Sequence, residues 1–581
     1  MTLRRPASSI VLATLCAAAL TACGGNDDPP PTQRATAFGA VMGVDDTSAS
    51  GTYQWKGVPY AKPPVGALRW KAPVDPDPWT APLNTQAYAN ACAQYGRIYG
   101  PGANNTYDQT IGTTLNQAVG SEDCLYLNIW RPASNQVGLP VIVFIHGGSN
   151  VSGYTADPVY DGANLAKTAN AVVVTINYRL GILGFLDVPQ LREGTSAQED
   201  SGNFAILDAI KALQFVNRNI AAFGGDAGNV TVMGQSAGAI NVYALITSPV
   251  IVQASPQLLH RAMPMSGGIS LASELPPGSL PTLNTAAVAL AQGNALLQQL
   301  VIADGLAADT TSAQTYIGTQ SATQIRTYLR GKSPSTLFTI LLTKLAPLGL
   351  SGSGPIPEGV VLPVDPVAAV NAGNYLHVPV LASNTRDEAK LFPTFLALSP
   401  ALGGVSGRLV TDAQLFSTQF SYDPDAAPTV QIGSWIPSVY LPVDTPVTGF
   451  NARTDLLNSI FFGASRDNVL NALKGQQANV WYYRFDWDEE PAPWNDIYGA
   501  AHAFDLEFVF GNFGRSLFAQ VMNSTANKPG RLDLSNAMMQ SVAAFARSGD
   551  PNNAALGVAW PAWPSKLIFD ATPAAKAISV Q

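Results

Sequence analysis

The feature that most constrains this chain is the turn Gly234-Gln235-Ser236-Ala237-Gly238. It lies between the apolar run Val230-Thr231-Val232-Met233 and a helix-forming run from Ala239 to Ile246. A strand that passes so abruptly into a helix needs glycine on both sides of the turn, because side chains there would collide with neighbouring backbone. The turn lifts the serine hydroxyl off the end of the strand. The N-terminus of the following helix lies beneath it and favours developing negative charge. The five-residue pattern is weak alone; its place between strand and helix gives it meaning. The bland alternative is a glycine-rich turn with an idle serine.

The rest of the chain agrees with an α/β architecture. Val141-Ile142-Val143-Phe144-Ile145, Ala171 to Ile176, Val378 to Leu381 and Val480 to Tyr483 are further short apolar runs bounded by turn residues. Continuous rather than alternating apolarity fits strands covered on both faces. Between them, Leu207, Ile210, Leu213, Val216 and Ile220 recur at helical spacing and form one apolar face. Strands alternating with helices predict a central, mostly parallel sheet flanked by helices. Two stretches, 276–359 (helical with loops) and 396–444 (rich in Gly, Pro and Ser), read as insertions over one end of the sheet. No repeat or charge block divides the interior, so the 581 residues are expected to hold a single catalytic domain over 37–581. With 47% apolar residues a large core is available. The net charge of −8 is scattered, without the basic cluster that grips phosphate backbones, which argues against nucleic-acid binding.

The N-terminus reads as an export signal over 1–22. Arg4 and Arg5 precede an apolar run from Ile10 to Leu20 that is too short to span a membrane. Leu20-Thr21-Ala22-Cys23 resembles a bacterial lipobox, which implies cleavage before Cys23 and lipidation of its thiol; an ordinary signal peptide cut near Ala22 is the alternative. Residues 23–36 then read as a tether. The expected location is the periplasm, the outer membrane as a lipoprotein, or the exterior, with the membrane touched only through Cys23. Of four cysteines, Cys16 falls in the signal and Cys23 at the anchor, leaving Cys92 and Cys124, which in an exported protein most simply pair.

A serine hydroxyl needs a base to take its proton. The chain has four histidines. In sheets with such a serine turn the usual chain order is nucleophile, acid, base, which excludes His146. His260 reads as a helix end, and His377 precedes a strand, the wrong end of the sheet. His502, in the small-residue loop Gly499-Ala500-Ala501-His502 after the late strand, remains. The acid should follow a strand between Ser236 and His502. Asp387 and Glu388, in Asn384-Thr385-Arg386-Asp387-Glu388, both qualify, and composition leaves them tied. Backbone N–H groups of the turn His146-Gly147-Gly148-Ser149, together with that of Ala237, could bind a tetrahedral oxyanion.

These residues resemble the type-B carboxylesterase family, which includes the cholinesterases. Ser121-Glu122-Asp123-Cys124-Leu125-Tyr126-Leu127-Asn128-Ile129 is similar to one family signature, and Phe223-Gly224-Gly225-Asp226 leading into the serine turn is similar to another. The resemblance covers about 38–570. It implies an α/β-hydrolase fold, with Glu388 as triad acid, His502 as base, and Gly148, Ser149 and Ala237 as oxyanion donors. It further implies a Cys92–Cys124 disulfide closing a loop near the mouth of the site. Arg69 and Glu122 would form an ion pair beside that loop, and Ser266 would be a hydroxyl close behind the triad. Three positions depart from the family pattern around the serine and oxyanion turns: Ser149 for glycine, Asn150 for an aromatic residue, and Gln235 for glutamate. Ala389 also replaces the glycine after the acid. The missing glutamate argues against a preference for cationic substrates.

The expected activity is serine-dependent hydrolysis of a small-molecule carboxylic ester. A same-triad amidase or carbamate hydrolase, and a catalytically silent adhesion or binding homologue, are the alternatives. The silent reading is weakened by the presence of serine, acid and histidine together. No H-E-x-x-H and no P-loop occurs, so neither metal nor cofactor is expected.

Overall fold

The computed structural model describes residues 31–393, 395–396 and 411–581. The signal, Cys23 and most of the proposed tether lie outside the described residues. The last part of that tether does not: Gln33–Thr36 is a strand paired antiparallel with Gly39–Met42. The folded unit therefore begins before residue 37. None of the strand's four residues is buried, so no apolar alternation marks it after the Pro-rich run.

Among the described residues, eleven strands form the main sheet. In chain order they are β1 (Val44–Asp46), β2 (Thr52–Pro59), β3 (Tyr126–Pro132), β4 (Leu139–Ile145), β5 (Val172–Ile176) and β6 (Gly225–Gln235). They continue with β7 (Arg261–Met265), β8 (Val380–Thr385), β9 (Val480–Phe485), β10 (Leu567–Phe569) and β11 (Ser579–Val580). The spatial order is β11-β10-β9-β8-β7-β6-β4-β5-β3-β2-β1. The run from β5 to β10 is parallel, and antiparallel strands complete both edges.

Each apolar run divides its side chains between two cores, as a strand must. Val141, Val143 and Ile145 enter one cluster with Val172, Val174, Val230 and Val232. Ile142, Phe144, Val173 and Met233 enter the other. Helix α1 (Phe204–Asn219) covers the first face, with Leu207, Ile210, Leu213 and Val216 buried as their spacing predicts. Helix α2 (Ala237–Thr247) leaves the serine turn, and α3 (Lys528–Ser548) closes the second face through Leu534, Met538, Val542 and Phe545. The segment from 286 to 345 is helical and packs as a separate apolar cluster around Leu296, Leu300, Leu329 and Leu337.

Register places the chemistry. Ile145 of β4 pairs with Gly234 of β6, Gln235 with Met265 of β7, Met265 with Ser383 of β8, and Thr385 with Phe485 of β9. The C-terminal ends of five neighbouring parallel strands therefore lie side by side. Open α/β sheets bind ligands at that end.

Two local expectations change. His260 is not at a helix end; it stands immediately before β7, its N–H bonded to the Val230 carbonyl at 2.7 Å. It remains at the opposite end of the sheet from the serine. The strand expected from Val378 begins at Val380 and runs on through Asn384 and Thr385. Within the insertion at 396–444, Asp412–Ser421 is a helix, and residues 397–410 lie outside the described set.

Candidate active site

Ser236 sits just past β6 with φ 59° and ψ −124°. Non-glycine residues avoid this region at a cost of about 1–3 kcal/mol, and surrounding structure must hold them there. Here the Ser236 N–H donates to the Met265 carbonyl at 2.8 Å, and the Ser236 carbonyl accepts from Ala239 and Ile240 at 2.9 and 3.1 Å. The flanking glycines are obligatory. A Cβ on Gly234 would lie 2.3 Å from the Gly238 carbonyl oxygen, and one on Gly238 would lie 2.1 Å from that of Ile145.

After β8 the chain makes one short turn that carries both candidate acids, and the structure separates them. The Glu388 side chain is buried with Oε1 accepting from Asn384 Nδ2 and the Thr385 N–H, each at 2.9 Å. Its Oε2 meets Nδ1 of His502 in a short hydrogen bond. Asp387 instead binds Arg386 at 2.7 Å and accepts the Ala500 N–H at 3.0 Å. An isolated parallel bridge joins Asp387 to Ala501 of the His502 loop. Asp387 thus fastens the His502 loop to the acid turn, and Glu388 faces the imidazole. Burial alone would push the Glu388 carboxyl up. The His502 charge, hydrogen bonds from His502 and Asn384, and the nearby Ser266 hydroxyl outweigh it and hold the carboxyl below the usual range. Ser266, just past β7 with φ 52°, has a buried hydroxyl that contributes to this without closing a well-formed hydrogen bond.

His502 lies between aromatic rings, 5.0 Å from Phe392 and 5.3 Å from Phe462 between centroids. Its Nε2 is 3.0 Å from the side-chain amide nitrogen of Gln235, the residue before the serine. His146, excluded by chain order, is buried with Nδ1 2.8 Å from the Gly147 carbonyl oxygen. Its pKa is pushed down to about 4 by burial, so it is neutral.

The turn after β4 supplies the other candidate donors. Gly148, Ser149 and Asn150 have φ of 102°, 56° and 57°. A Cβ on Gly148 would lie 2.1 Å from the Ser152 carbonyl oxygen, so glycine is required there. Ser149 adopts the left-handed region without being glycine. Asn150 is anchored by Asn241 of α2, whose Nδ2 donates to it at 2.9 Å, and its carbonyl accepts the Gly181 N–H at 2.6 Å. This ties the turn to the helix that begins after the serine. Among the described residues, no protein acceptor takes the N–H of Gly148, Ser149 or Ala237.

These groups open on one cavity of about 390 Å³. Its wall includes Ser236, His502, Gly148 and Ser149, with Tyr154, Tyr160, Phe392, Trp435 and Phe518 around them. Cys92 and Cys124 are disulfide-bonded. The loop they close contributes Arg97 and Tyr99 to the cavity wall, and the Arg69–Glu122 ion pair stands beside its base. Sequence reasoning missed the acids set around the cavity. Asp157 and Glu507 line it and are raised by burial to about 6 and about 7. Asp505, behind His502, is raised to about 7 by burial and then by the Glu388 charge; Tyr483 donates to it at 3.0 Å. The signal available was the acid-bearing helix that directly follows His502, where Asp505 and Glu507 alternate with apolar residues. Among the described residues, no three His, Cys, Asp or Glu side chains converge so as to hold a metal ion.

A serine on a strained strand-to-helix turn, a histidine bonded to a buried carboxylate, and the parallel sheet that aligns them define a serine hydrolase of the α/β-hydrolase fold. The Carboxylesterase family model matches residues 30–569, and the chain belongs to that family. It is 31% identical over 533 residues to the para-nitrobenzyl esterase of Bacillus subtilis (strain 168), covering 91% of this chain and 92% of that one. It is 31% identical to the liver carboxylesterase of Sus scrofa over 87% of this chain and 82% of that one. A solved carboxylesterase from Geobacillus stearothermophilus superposes with a TM-score of 0.67 at 29% identity, covering 95% of this chain and 98% of that one. The protein is a serine carboxylic-ester hydrolase acting on small-molecule esters.

Proposed function

We propose that the enzyme cleaves neutral esters through an acyl-enzyme on Ser236, with His502 as base and Glu388 orienting it. The reading rests on one observation above the others: Ser236 and the His502 that Glu388 holds line one cavity at the aligned ends of β6, β8 and β9. With Glu388 ionised, His502 Nδ1 keeps its proton and Nε2 presents a lone pair. Ser236 Oγ attacks the ester carbonyl and its proton passes to Nε2. The negative carbonyl oxygen takes hydrogen bonds from the N–H groups of Gly148, Ser149 and Ala237, each worth about 3–4 kcal/mol in such a site. The imidazolium returns the proton to the departing alkoxide and the alcohol leaves. Water, deprotonated by the same nitrogen, then releases the acid and restores Ser236.

The aromatic wall favours an aryl, benzyl or short aliphatic group, and the name of the Bacillus subtilis relative points to para-nitrobenzyl esters. The basic and apolar N-terminus with Cys23 supports export and lipid anchoring. Hydrolysis of a panel of chromogenic aryl, benzyl and alkyl esters by the wild type and by Ser236→Ala tests the reading. Turnover should follow aromatic fit and vanish in the variant, whereas ester turnover surviving in Ser236→Ala would overturn it.

A further inference from the structure

We propose that Gln235 is a positioning residue that holds the resting His502, its amide occupying the Nε2 lone pair that Ser236 must use. The inference rests on the assignment of His502 as the base. Three observations carry it. His502 Nδ1 is bonded to Glu388, whose carboxyl is kept low, so in the neutral imidazole the proton is on Nδ1 and Nε2 is an acceptor. The atom 3.0 Å from Nε2 is the Gln235 amide nitrogen, a donor, so the two groups match. Gln235 is also buried, 3% exposed, with its amide beside Gly147. A glutamine one residue before the serine thus reaches across the turn and competes with Ser236 for the same lone pair. A carboxylate at this position could not donate.

Two consequences follow. A donor to Nε2 favours the neutral ring, so removing it should let His502 take its second proton at higher pH. One hydrogen bond of ordinary net strength corresponds to a shift of about half a unit to one unit. Serine activation must also displace the amide, so its removal should speed attack by about twofold to tenfold where the ring is neutral.

Other groups titrate near the ring and must be separated from this effect. Glu388 and Asp505 face it from the turn after β8 and from the helix following the histidine. Lys390, Asp157, Glu507 and the Arg97–Asp412 pair line the same cavity. The direct experiment is therefore an NMR titration of the full chain carrying 15N-histidine. Only four histidines need resolving, and His502→Gln assigns the signal. Gln235→Met keeps the side-chain length and removes the donor. Its His502 signal should titrate at higher pH, its Nε2 resonance should move toward that of a free acceptor, and fluorophosphonate should label Ser236 faster. Repeating the comparison in Asp505→Asn should preserve the difference. In Gln235→Glu the titration should move up further, because a carboxylate favours the imidazolium. An unmoved His502 titration in a Gln235→Met variant that melts like the wild type would overturn the proposal, as would slower labelling with the titration unmoved. If Gln235→Met fails to fold, Gln235→Leu, which also lacks the donor and adds no charge, decides by the same signal. Failure of the triad assignment itself would show differently, as labelling of a serine other than Ser236.

Discussion

Exchanging Glu388 for glutamine changes one oxygen to an amide, and the structure dictates which one. Oε1 already accepts two N–H groups, from Asn384 and Thr385. Turning an NH2 toward them would set donor against donor, so the oxygen of the new amide stays there and its NH2 faces His502 Nδ1. That nitrogen must then accept, which moves the ring proton to Nε2 and leaves no lone pair for Ser236. In a serine protease the equivalent loss of tautomer costs about four orders of magnitude in kcat, or about 5 kcal/mol of transition-state stabilisation. We expect a comparable fall in kcat here. Asp387→Asn should differ. Its carboxylate binds Arg386 and the Ala500 N–H and does not touch the imidazole. An asparagine oxygen still accepts from Ala500, so the loss is the charge that pairs with Arg386 and Lys390, about 1–3 kcal/mol of stability, with rates within about tenfold of wild type. Both variants are assayed by kcat and KM on a chromogenic acetate and by thermal melts. A larger kcat loss in Asp387→Asn than in Glu388→Gln, with both folded, would refute the reasoning.

Three further outcomes are expected. Ser149→Gly removes a non-glycine residue from the left-handed region at φ 56° and should stabilise the fold by about 1 kcal/mol with activity retained, read by chemical denaturation. Replacing both Cys92 and Cys124 with serine opens a loop with a sequence separation of 32 and should cost about 3–4 kcal/mol; an unchanged denaturation midpoint would contradict this. Glu507 is raised by burial to about 7, so its contribution to stability is present at low pH and is lost as pH rises through that value. The melting temperature should therefore fall between pH 5 and 8, and less steeply in Glu507→Gln.

The parts of the fold that were legible in the sequence are those where local pattern and tertiary environment agree. The runs at 141–145, 172–176 and 230–233 carry no charged residue, are apolar but for Thr175 and Thr231, and are buried throughout because both faces of a parallel sheet are covered, and α1 shows its buried face at helical spacing. β7 was hidden because Arg261-Ala262-Met263-Pro264-Met265 carries a proline, normally excluded from inner strands, beside Gly234. The edge strand Gln33–Thr36 and the placement of His260 before β7 depend on partners distant in sequence. At the site, the serine turn announces itself because only glycine fits around it. The histidine emerges from the scarcity of its type. The choice between Asp387 and Glu388 could not be made from composition. It depends on β8 continuing through Thr385, which sets the turn so that the second carboxylate faces the ring. The contact between Gln235 and His502 was equally hidden, since it joins residues 267 apart through a side-chain conformation.

The most direct test of the account is the site of covalent modification by a fluorophosphonate. After reaction with the purified full chain, peptide mass spectrometry should find one stoichiometric adduct on Ser236, lost in Ser236→Ala and strongly slowed in His502→Ala. A stoichiometric adduct on another serine, or undiminished ester hydrolysis by protein fully modified at Ser236, would contradict it.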